Sequence, residues 1–259
     1  MQSLYGAIAN YKQKRNMAVN IDTVYQRVLA IANKEQRGYI TPQEFNLHAN
    51  QAQMNIFEQY FYDIHQFQAT SKGNSKPYSD MVSIIEEKIS LFEVFGQDLD
   101  GNTSNRGILP SDVYRLGQVQ FGNSYAESVV VEKATTNEIN LLLNSNLTAP
   151  TLERPVYVRA ANSTHQLELY PTTFSASNRM DNVTINYIKK PTKCEWAYVV
   201  VNEKALYNGN ESVDFELHAS EEESLVINIL ELSGITINKP GLAQTASNMD
   251  SKNTQQEKQ

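Results

Sequence analysis

A short acidic stretch near residue 100 begins like a calcium-binding loop. It reads DLDGN over 98–102, which places side-chain oxygens at the first, third and fifth positions, as a calcium-binding helix-loop-helix requires. The pattern then fails, because the sixth position is Thr103 instead of Gly and the twelfth is Leu109, which cannot supply a bidentate carboxylate. We therefore interpret the stretch as a solvated polar loop.

The histidines and the single cysteine are the next candidates for metal or nucleophilic chemistry. His48, His65, His165 and His218 have no i, i+3 or i+4 partner among themselves, so the spacing of a helical metal site is absent. Cys194 cannot form an internal disulfide, and no sequence signature pairs it with a histidine base. We interpret it as a buried structural cysteine, and we predict no metal site.

Three consecutive acids, Glu221 to Glu223, suggest acid–base catalysis at first sight. However, Ser220 with Glu223 three residues later matches the capping box of a helix start, where the helix dipole stabilises negative charge. The sequence also contains no Gly-rich phosphate loop, Gly-x-Ser-x-Gly elbow or His-Glu-x-x-His motif. We therefore predict that the protein is not an enzyme and uses no cofactor.

The composition is distinguished by uncharged polar residues, since Asn and Gln make up about a sixth of the 259 residues. The net charge of −7 argues against a protein that binds nucleic acid by neutralising phosphates. A basic segment with Lys12, Lys14 and Arg15 precedes the first acid, Asp22. No apolar run reaches the roughly 20 residues of a membrane helix, and no signal peptide is apparent, so we expect synthesis in the cytoplasm.

Helical periodicity dominates the first third of the chain. A capping box, Thr41–Glu44, with Pro at the first helical position starts a long helix that runs to about Ala69. Apolar residues also recur at helical spacing over 22–37 and 77–95, on either side of the long helix. Three helices with short connections predict an antiparallel bundle over 21–96, after an N-terminal extension over 1–20.

The long helix contains more aromatic and amide side chains than one buried face explains. Phe57, Phe61 and Tyr62 interleave with Gln59 and Gln66. Burial on several sides within its own domain would account for this pattern. Packing against neighbouring subunits would account for it as well, because neutral amides supply hydrogen bonds without the cost of burying charge. These five residues are our subunit-contact candidates, and we expect the surplus Asn and Gln to lie at contacts between proteins.

Beyond Gly96 the pattern changes to short β-rich runs that turn residues separate. We predict an antiparallel β-rich domain over 97–218, with sandwich and barrel both open, interrupted by a helix over 136–143 that Thr135 or Thr136 caps. The stretch 98–107 is predicted to be a loop. The predicted strands cover 113–121, 128–131, 155–159, 166–170, 183–188, 196–201 and 213–217.

The C-terminal part is predicted to form a helix and a short extended segment over 219–240, then a polar tail over 241–259. The tail has almost no apolar residues, so alone it should be disordered and could order on a partner. Ile235, Ile237 and Leu242 are the candidates for docking it. The fold class is therefore α+β, with a helical bundle, a β-rich domain, a C-terminal helix and an extended tail.

The segment 20–67, NIDTVYQRVLAIANKEQRGYITPQEFNLHANQAQMNIFEQYFYDIHQF, resembles the opening of a family of virion proteins from short-tailed, crAss-like bacteriophages. Its most specific portion is ANKEQRGYITPQEFN, over 32–46. Further agreement follows in order along the chain: LPSDVYRL from Leu109, LELYP ending at Pro171, TINYIKKP from Thr184, and LVINILELSGITINKP from Leu225.

That family resembles the proteins of the head-to-tail junction, which form rings beneath the portal. The resemblance implies a non-enzymatic ring component of the virion neck, present in twelve copies to match the portal, with packaged DNA passing through its lumen without specific recognition. Its partners would be other copies of itself, the portal and adjacent ring or tail proteins, with no membrane contact. The segment Lys12 to Arg15 departs from the family pattern. It could contact DNA or a neighbouring protein, or it could be a solvated extension.

Two other classes of function stay open from the sequence. A β-rich tail module that binds a receptor or carbohydrate would place Trp and Tyr on exposed loops, whereas Trp196 heads an apolar strand and is expected in the core. A tail-associated enzyme that degrades the cell wall would need a cluster of carboxylates or histidines that the sequence does not display.

Overall fold

A computed structural model describes residues 18–34, 40–70, 76–102, 105–122, 128–159, 165–171, 182–236 and 248. The described chain is of mixed α+β class, with five helices and a large curled β-sheet. It divides into two compact units. The first, which we call the helical unit, combines 1–91 with 191–259, and the second, the sheet unit, is 92–190.

The helices and strands are numbered in chain order. The helices are α1 (Ile21–Lys34), α2 (Pro42–Thr70), α3 (Lys76–Ser90), α4 (Thr136–Leu143) and α5 (Glu222–Thr236). The strands are β1 (Ala18–Val19), β2 (Glu93–Asp98), β3 (Asp100–Asn102), β4 (Arg106–Ile108), β5 (Val113–Phe121), β6 (Val129–Lys133), β7 (Val156–Arg159), β8 (Gln166–Tyr170), β9 (Val183–Lys189), β10 (Tyr198–Val201), β11 (Lys204–Tyr207) and β12 (Phe215–His218).

The C-terminal helix α5 organises the helical unit. It packs against both α1 and α2, while α3 packs against α2. Leu225, Val226, Ile229 and Leu230 of α5 are all buried, as expected for a helix that is apolar around most of its circumference. The three N-terminal helices therefore do not form a unit by themselves, and the predicted 21–96 bundle omits the helix that holds them together.

The start of α2 confirms the predicted capping box. Thr41 N and Oγ1 both donate to the Glu44 carboxylate, at 2.9 and 2.8 Å, and Glu44 N donates back to Thr41 Oγ1 at 3.3 Å. These hydrogen bonds lower the pKa of Glu44, the backbone bond from Thr41 first and its hydroxyl second. The local sequence signal was sufficient here because every partner lies within four residues.

The predicted capping box at Ser220 and Glu223 is wrong. Ser220 lies inside a 3-10 turn, Ala219–Glu221, which precedes α5, and the His218 side chain caps that turn by accepting from Ser220 N at 3.2 Å. Glu221 is buried and forms an ion pair with Lys88 instead of facing solvent at a helix start. The cap is therefore still local but comes from His218 instead of Ser220, while Glu221 pairs with a residue that is distant in the sequence.

The sheet unit contains one eight-stranded sheet, with the strand order β2-β9-β5-β6-β7-β8-β4-β3. All neighbouring pairs are antiparallel except β6 and β7, which are parallel. Parallel neighbours need a crossover, and α4 with its following turns supplies it. The prediction of a purely antiparallel domain is therefore wrong at this one pair.

Both faces of the sheet are packed near β7. Tyr157 points into the larger core, while Val156 and Val158 alternate to the other face and pack with Ile139 of α4. This explains why β7 is buried on both sides. The larger core consists of Leu99, Leu109, Val113, Val119, Val131, Tyr157, Leu167, Leu169, Val183, Ile185 and Tyr187.

Several predicted boundaries differ from the observed ones. The third helix ends at Ser90, and Phe92 and Phe95, which were assigned to its apolar stripe, follow it. The predicted loop 98–107 contains β3 and the first two residues of β4, and β2 was not predicted as a strand. Residues 191–218, which were placed in the β-rich domain, belong to the helical unit.

Candidate subunit-contact surfaces

Two asparagines on α2 hydrogen-bond the backbone of an extended segment over 192–196. Asn46 accepts from Trp196 N at 2.9 Å and donates to Trp196 O at 3.3 Å. Asn50, one helical turn later, accepts from Cys194 N at 3.0 Å and donates to Cys194 O at 2.9 Å. Each amide therefore satisfies both backbone groups of one residue, as a neighbouring β-strand would do.

A third amide continues this arrangement, which we call the amide ladder. Gln53 donates to Thr192 O at 2.8 Å and accepts from Glu216 N at 3.1 Å. The opposite edge of the segment pairs with the chain before β12, because Glu195 and Val213 exchange both backbone hydrogen bonds. The segment 192–196 is thus held on both sides, and it fixes where the following residues emerge.

Trp196 is the centre of an aromatic cluster at the end of that segment. It is 2% exposed, and its Nε1 donates to Asp22 Oδ1 at 3.0 Å. Its ring lies 4.3 Å from that of Tyr25 and is stacked with Tyr198 and Tyr207, at centroid distances of 5.8 and 5.7 Å. Tyr198 and Tyr207, which begin and end the hairpin that follows in the chain, are therefore fixed against Trp196. The expectation that Trp196 is a core residue is confirmed.

The hairpin β10–β11 extends from this cluster. Its two-residue turn, Asn202 and Glu203, has positive φ at both positions, 50° and 63°, which a type I′ turn requires. A two-stranded hairpin with little covering it is marginally stable in water, so apolar exposure on it is informative. Its exposed large apolar side chains are Val199 (51%), Val200 (64%), Val201, Leu206 and Tyr207.

The two faces of the hairpin differ. Tyr198 and Tyr207 are cross-strand partners, so they share the face that packs on Trp196. Alternation then places the pairs Val199–Leu206 and Val201–Lys204 on the opposite face, which we call the open face. The open face consists of Val199, Val201, Lys204 and Leu206, and its single charge is positive.

The sheet unit has an uncovered apolar surface of its own, which we call the α4 groove. It is a groove of about 390 Å³ beside α4. Leu141, on its wall, is 72% exposed, and Leu147 in the following turn is also exposed. The lining residues are Glu132, Lys133, Ala134, Glu138, Leu141, Leu142, Thr148 and Val156.

The five subunit-contact candidates on α2 have different environments. Phe57 is fully buried, so its side chain packs inside the helical unit and cannot present a contact surface. Phe61 is half-buried and touches Phe57 edge-on, at a centroid distance of 5.1 Å. Tyr62, Gln59 and Gln66 are exposed and lie on the outer side of the helix. Gln59 donates to Asp63 Oδ1, at 3.1 Å.

The remaining candidates lie at the ends of the chain. Ile235 belongs to the last turn of α5. Ile237 and Leu242 lie outside the described residues, as do Lys12, Lys14 and Arg15 of the basic segment. The hairpin is not predicted from the sequence, because 196–201 has the pattern of a single strand and Asn202-Glu203 is not a strong turn signal. The three consecutive valines at 199–201 were the available hint.

Cys194 is a nucleophilic side chain whose environment changes its chemistry strongly. Burial raises the pKa of its thiol to about 12, so at neutral pH the thiolate needed for nucleophilic attack is very rare. Within the described residues, no three His, Cys, Asp or Glu side chains form a group that could hold a metal ion. The Asp98 and Asp100 motif lies in β2 and β3, where the chain is extended.

We expect the Cys194 thiol to react with iodoacetamide at pH 8 about a thousandfold more slowly in the folded protein than in urea, given its raised pKa. The same pKa shift predicts lower stability at high pH. Above about pH 9 the unfolded thiol loses its proton while the folded thiol keeps it, so the free energy of unfolding falls as pH rises. Mass spectrometry of the labelled protein measures the rate, and rapid labelling of the folded chain would contradict the burial of Cys194.

Comparison with protein-family models finds no match to this chain, and comparison with curated proteins finds none either. Among the described helices, none combines the length and apolar character needed to cross a membrane.

Proposed function

We propose that the chain is a structural virion protein without enzymatic activity, which forms a ring in the neck of a bacteriophage. The ring would join the portal to the tail and surround the channel through which DNA passes. The observation that best supports this proposal is the hairpin β10–β11, which carries uncovered apolar side chains on a rigid aromatic base. Exposed apolar surface of this kind is typical of proteins that bury it against a partner.

The charge distribution agrees with the proposed location. A channel component must let DNA slide, and a net charge of −7 disfavours tight binding to phosphates. The resemblance of 20–67 to ring proteins of short-tailed phages supplies the expected partners, which are other copies of the chain, the portal and adjacent ring or tail proteins. Twelve copies would match the symmetry of a portal.

The main alternative is a β-rich tail module that binds a receptor or carbohydrate. Such a module stacks sugars on exposed aromatic rings, whereas Trp196 is covered by Tyr25, Tyr198 and Tyr207. A glycan array with the purified protein therefore is expected to give no specific binding.

The proposal is tested on purified virions of the phage that encodes the chain. We expect mass spectrometry to detect the chain in the particles, at a molar ratio to the portal close to one, and a density map to place it at the neck. Its absence from purified virions, together with a monomeric mass in a mixture with the portal, would contradict the proposal. A copy number that differs from that of the portal would contradict only the proposed twelve copies, and the ring in the neck would stand.

A further inference from the structure

We propose that the open face of the hairpin in one copy of this chain packs into the α4 groove of a second copy. The inference rests on the proposed function for the ring, and it names the two surfaces that would join one subunit to the next. Both surfaces are apolar, their charges are complementary, and two different surfaces produce the kind of symmetry that a ring needs.

Both surfaces are apolar and uncovered within the described chain. The open face offers Val199, Val201 and Leu206, each between 46% and 52% exposed. The groove offers Leu141 of α4, which is 72% exposed, and the partly exposed Leu142 beside it. Burying these side chains against one another removes apolar surface from water at both sites, which is the main favourable contribution to most protein association.

The charges at the two surfaces are complementary. The open face carries one charged residue, Lys204, whose side chain is exposed. The groove carries the carboxylates of Glu132 and Glu138 and the ammonium of Lys133, which leaves it net negative. Glu138 is ionised at neutral pH like any exposed glutamate, and its hydrogen bonds from Thr135, the backbone bond first, lower its pKa further. Complementary charge at an apolar contact favours this pairing over arrangements that bring like charges together.

The two surfaces lie on different units of the chain, so they are not copies of one patch. A contact between two different surfaces is heterologous, and its repetition produces a closed ring when the rotation closes. A symmetric dimer would instead need the same patch on both partners. The open face on the helical unit and the α4 groove on the sheet unit are two different surfaces, so their contact is of the kind that builds a ring.

Charge reversal at the two exposed sites tests the contact. We expect the wild-type chain to self-associate with increasing concentration in sedimentation velocity experiments. Lys204→Glu and Glu132→Lys should each weaken self-association about tenfold, and the double variant should recover to within about threefold of wild type. Lys190→Glu, at an exposed lysine outside both the hairpin and the segment 192–196, is the matched control and should leave association unchanged. Thermal unfolding of each variant verifies that it is folded.

Cross-linking provides a second measurement. Leu206→Cys in one tagged chain and Leu141→Cys in another should form a cross-linked heterodimer with a short bismaleimide, while the buried Cys194 stays unmodified. A single chain that carries both cysteines is the comparison. If only this chain is cross-linked, within itself and independently of concentration, the hairpin occupies its own groove and the proposal is overturned. A monomeric wild-type chain at every concentration, or single charge variants that associate like wild type, would also overturn it.

The outcomes for the contact and for the proposed function can be separated. If virions contain the chain at the neck but both charge variants assemble normally, the contact is wrong and the proposed function stands. If the charge swap restores self-association but virions lack the chain, the contact stands and the proposed function is wrong.

Discussion

Replacing Lys88 by Met should lower the free energy of unfolding of the helical unit by about 3–5 kcal/mol. Lys88 lies on α3, and its Nζ is 2.6 Å from Oε1 of Glu221, in the turn before α5. The two side chains are 13% and 7% exposed. The Met side chain keeps most of the apolar stem but leaves the Glu221 carboxylate buried without its counter-charge. Urea denaturation followed by circular dichroism measures the change.

Two further variants separate this effect from a general loss of packing. The double variant Lys88→Met with Glu221→Met should be more stable than Lys88→Met alone, because no charge remains buried. Arg27→Met is the matched control, since Arg27 pairs with Glu222 at 3.0 Å with its side chain 56% exposed. It should change stability by less than about 1 kcal/mol. If Lys88→Met and Arg27→Met lower the free energy of unfolding equally, the burial of the Lys88–Glu221 pair does not explain the effect.

The parts of the fold that the sequence predicted are those whose partners are close along the chain. The start and length of α2 followed from Thr41, Glu44 and the apolar spacing after them, and the observed helix, Pro42–Thr70, agrees within a residue or so at each end. The helix Thr136–Leu143 was predicted for the same reason, and of the two expected caps, Thr135 and Thr136, Thr135 is the one observed. Local hydrogen bonds and periodicity were sufficient in both cases.

The parts that were not predicted depend on distant partners. The helical unit combines residues that precede the sheet unit in the sequence with residues that follow it. The Gln53–Thr192 hydrogen bond, for example, spans 139 positions of sequence. Nothing near Ser220 indicates that Glu221 will pair with Lys88 on another helix. Strand β2 has few apolar residues to mark it, since it is mostly exposed and is fixed by its pairing with β9.

The amide surplus has a structural role that the sequence did not suggest. We expected Asn and Gln to line contacts between proteins, and Gln59 and Gln66 on the outer side of α2 are exposed, as is Tyr62 between them. Asn46, Asn50 and Gln53, however, bond an extended segment of the same chain. A helix cannot offer its own backbone to a neighbouring strand, because its N–H and C=O groups are already paired, so side-chain amides replace them.

The amide ladder therefore carries the second large prediction. Replacing Asn50 by Leu should lower the free energy of unfolding by about 2–5 kcal/mol, because both backbone groups of Cys194 lose their partner in a site with little access to water. Gln51→Leu is the matched control: its side chain is exposed and bonds Asn55, at 2.8 Å, so a change below about 0.5 kcal/mol is expected.

Asn50→Asp separates the two hydrogen bonds. The carboxylate can still accept from Cys194 N, but it cannot donate to Cys194 O and it repels that oxygen. We expect a loss of stability at pH 7 similar to that of Asn50→Leu, with faster iodoacetamide labelling of Cys194 in both variants because the segment 192–196 opens more often. Labelling at the wild-type rate in both variants, with unchanged stability, would mean that Asn46, Gln53 and the pairing of Glu195 with Val213 hold the segment without Asn50.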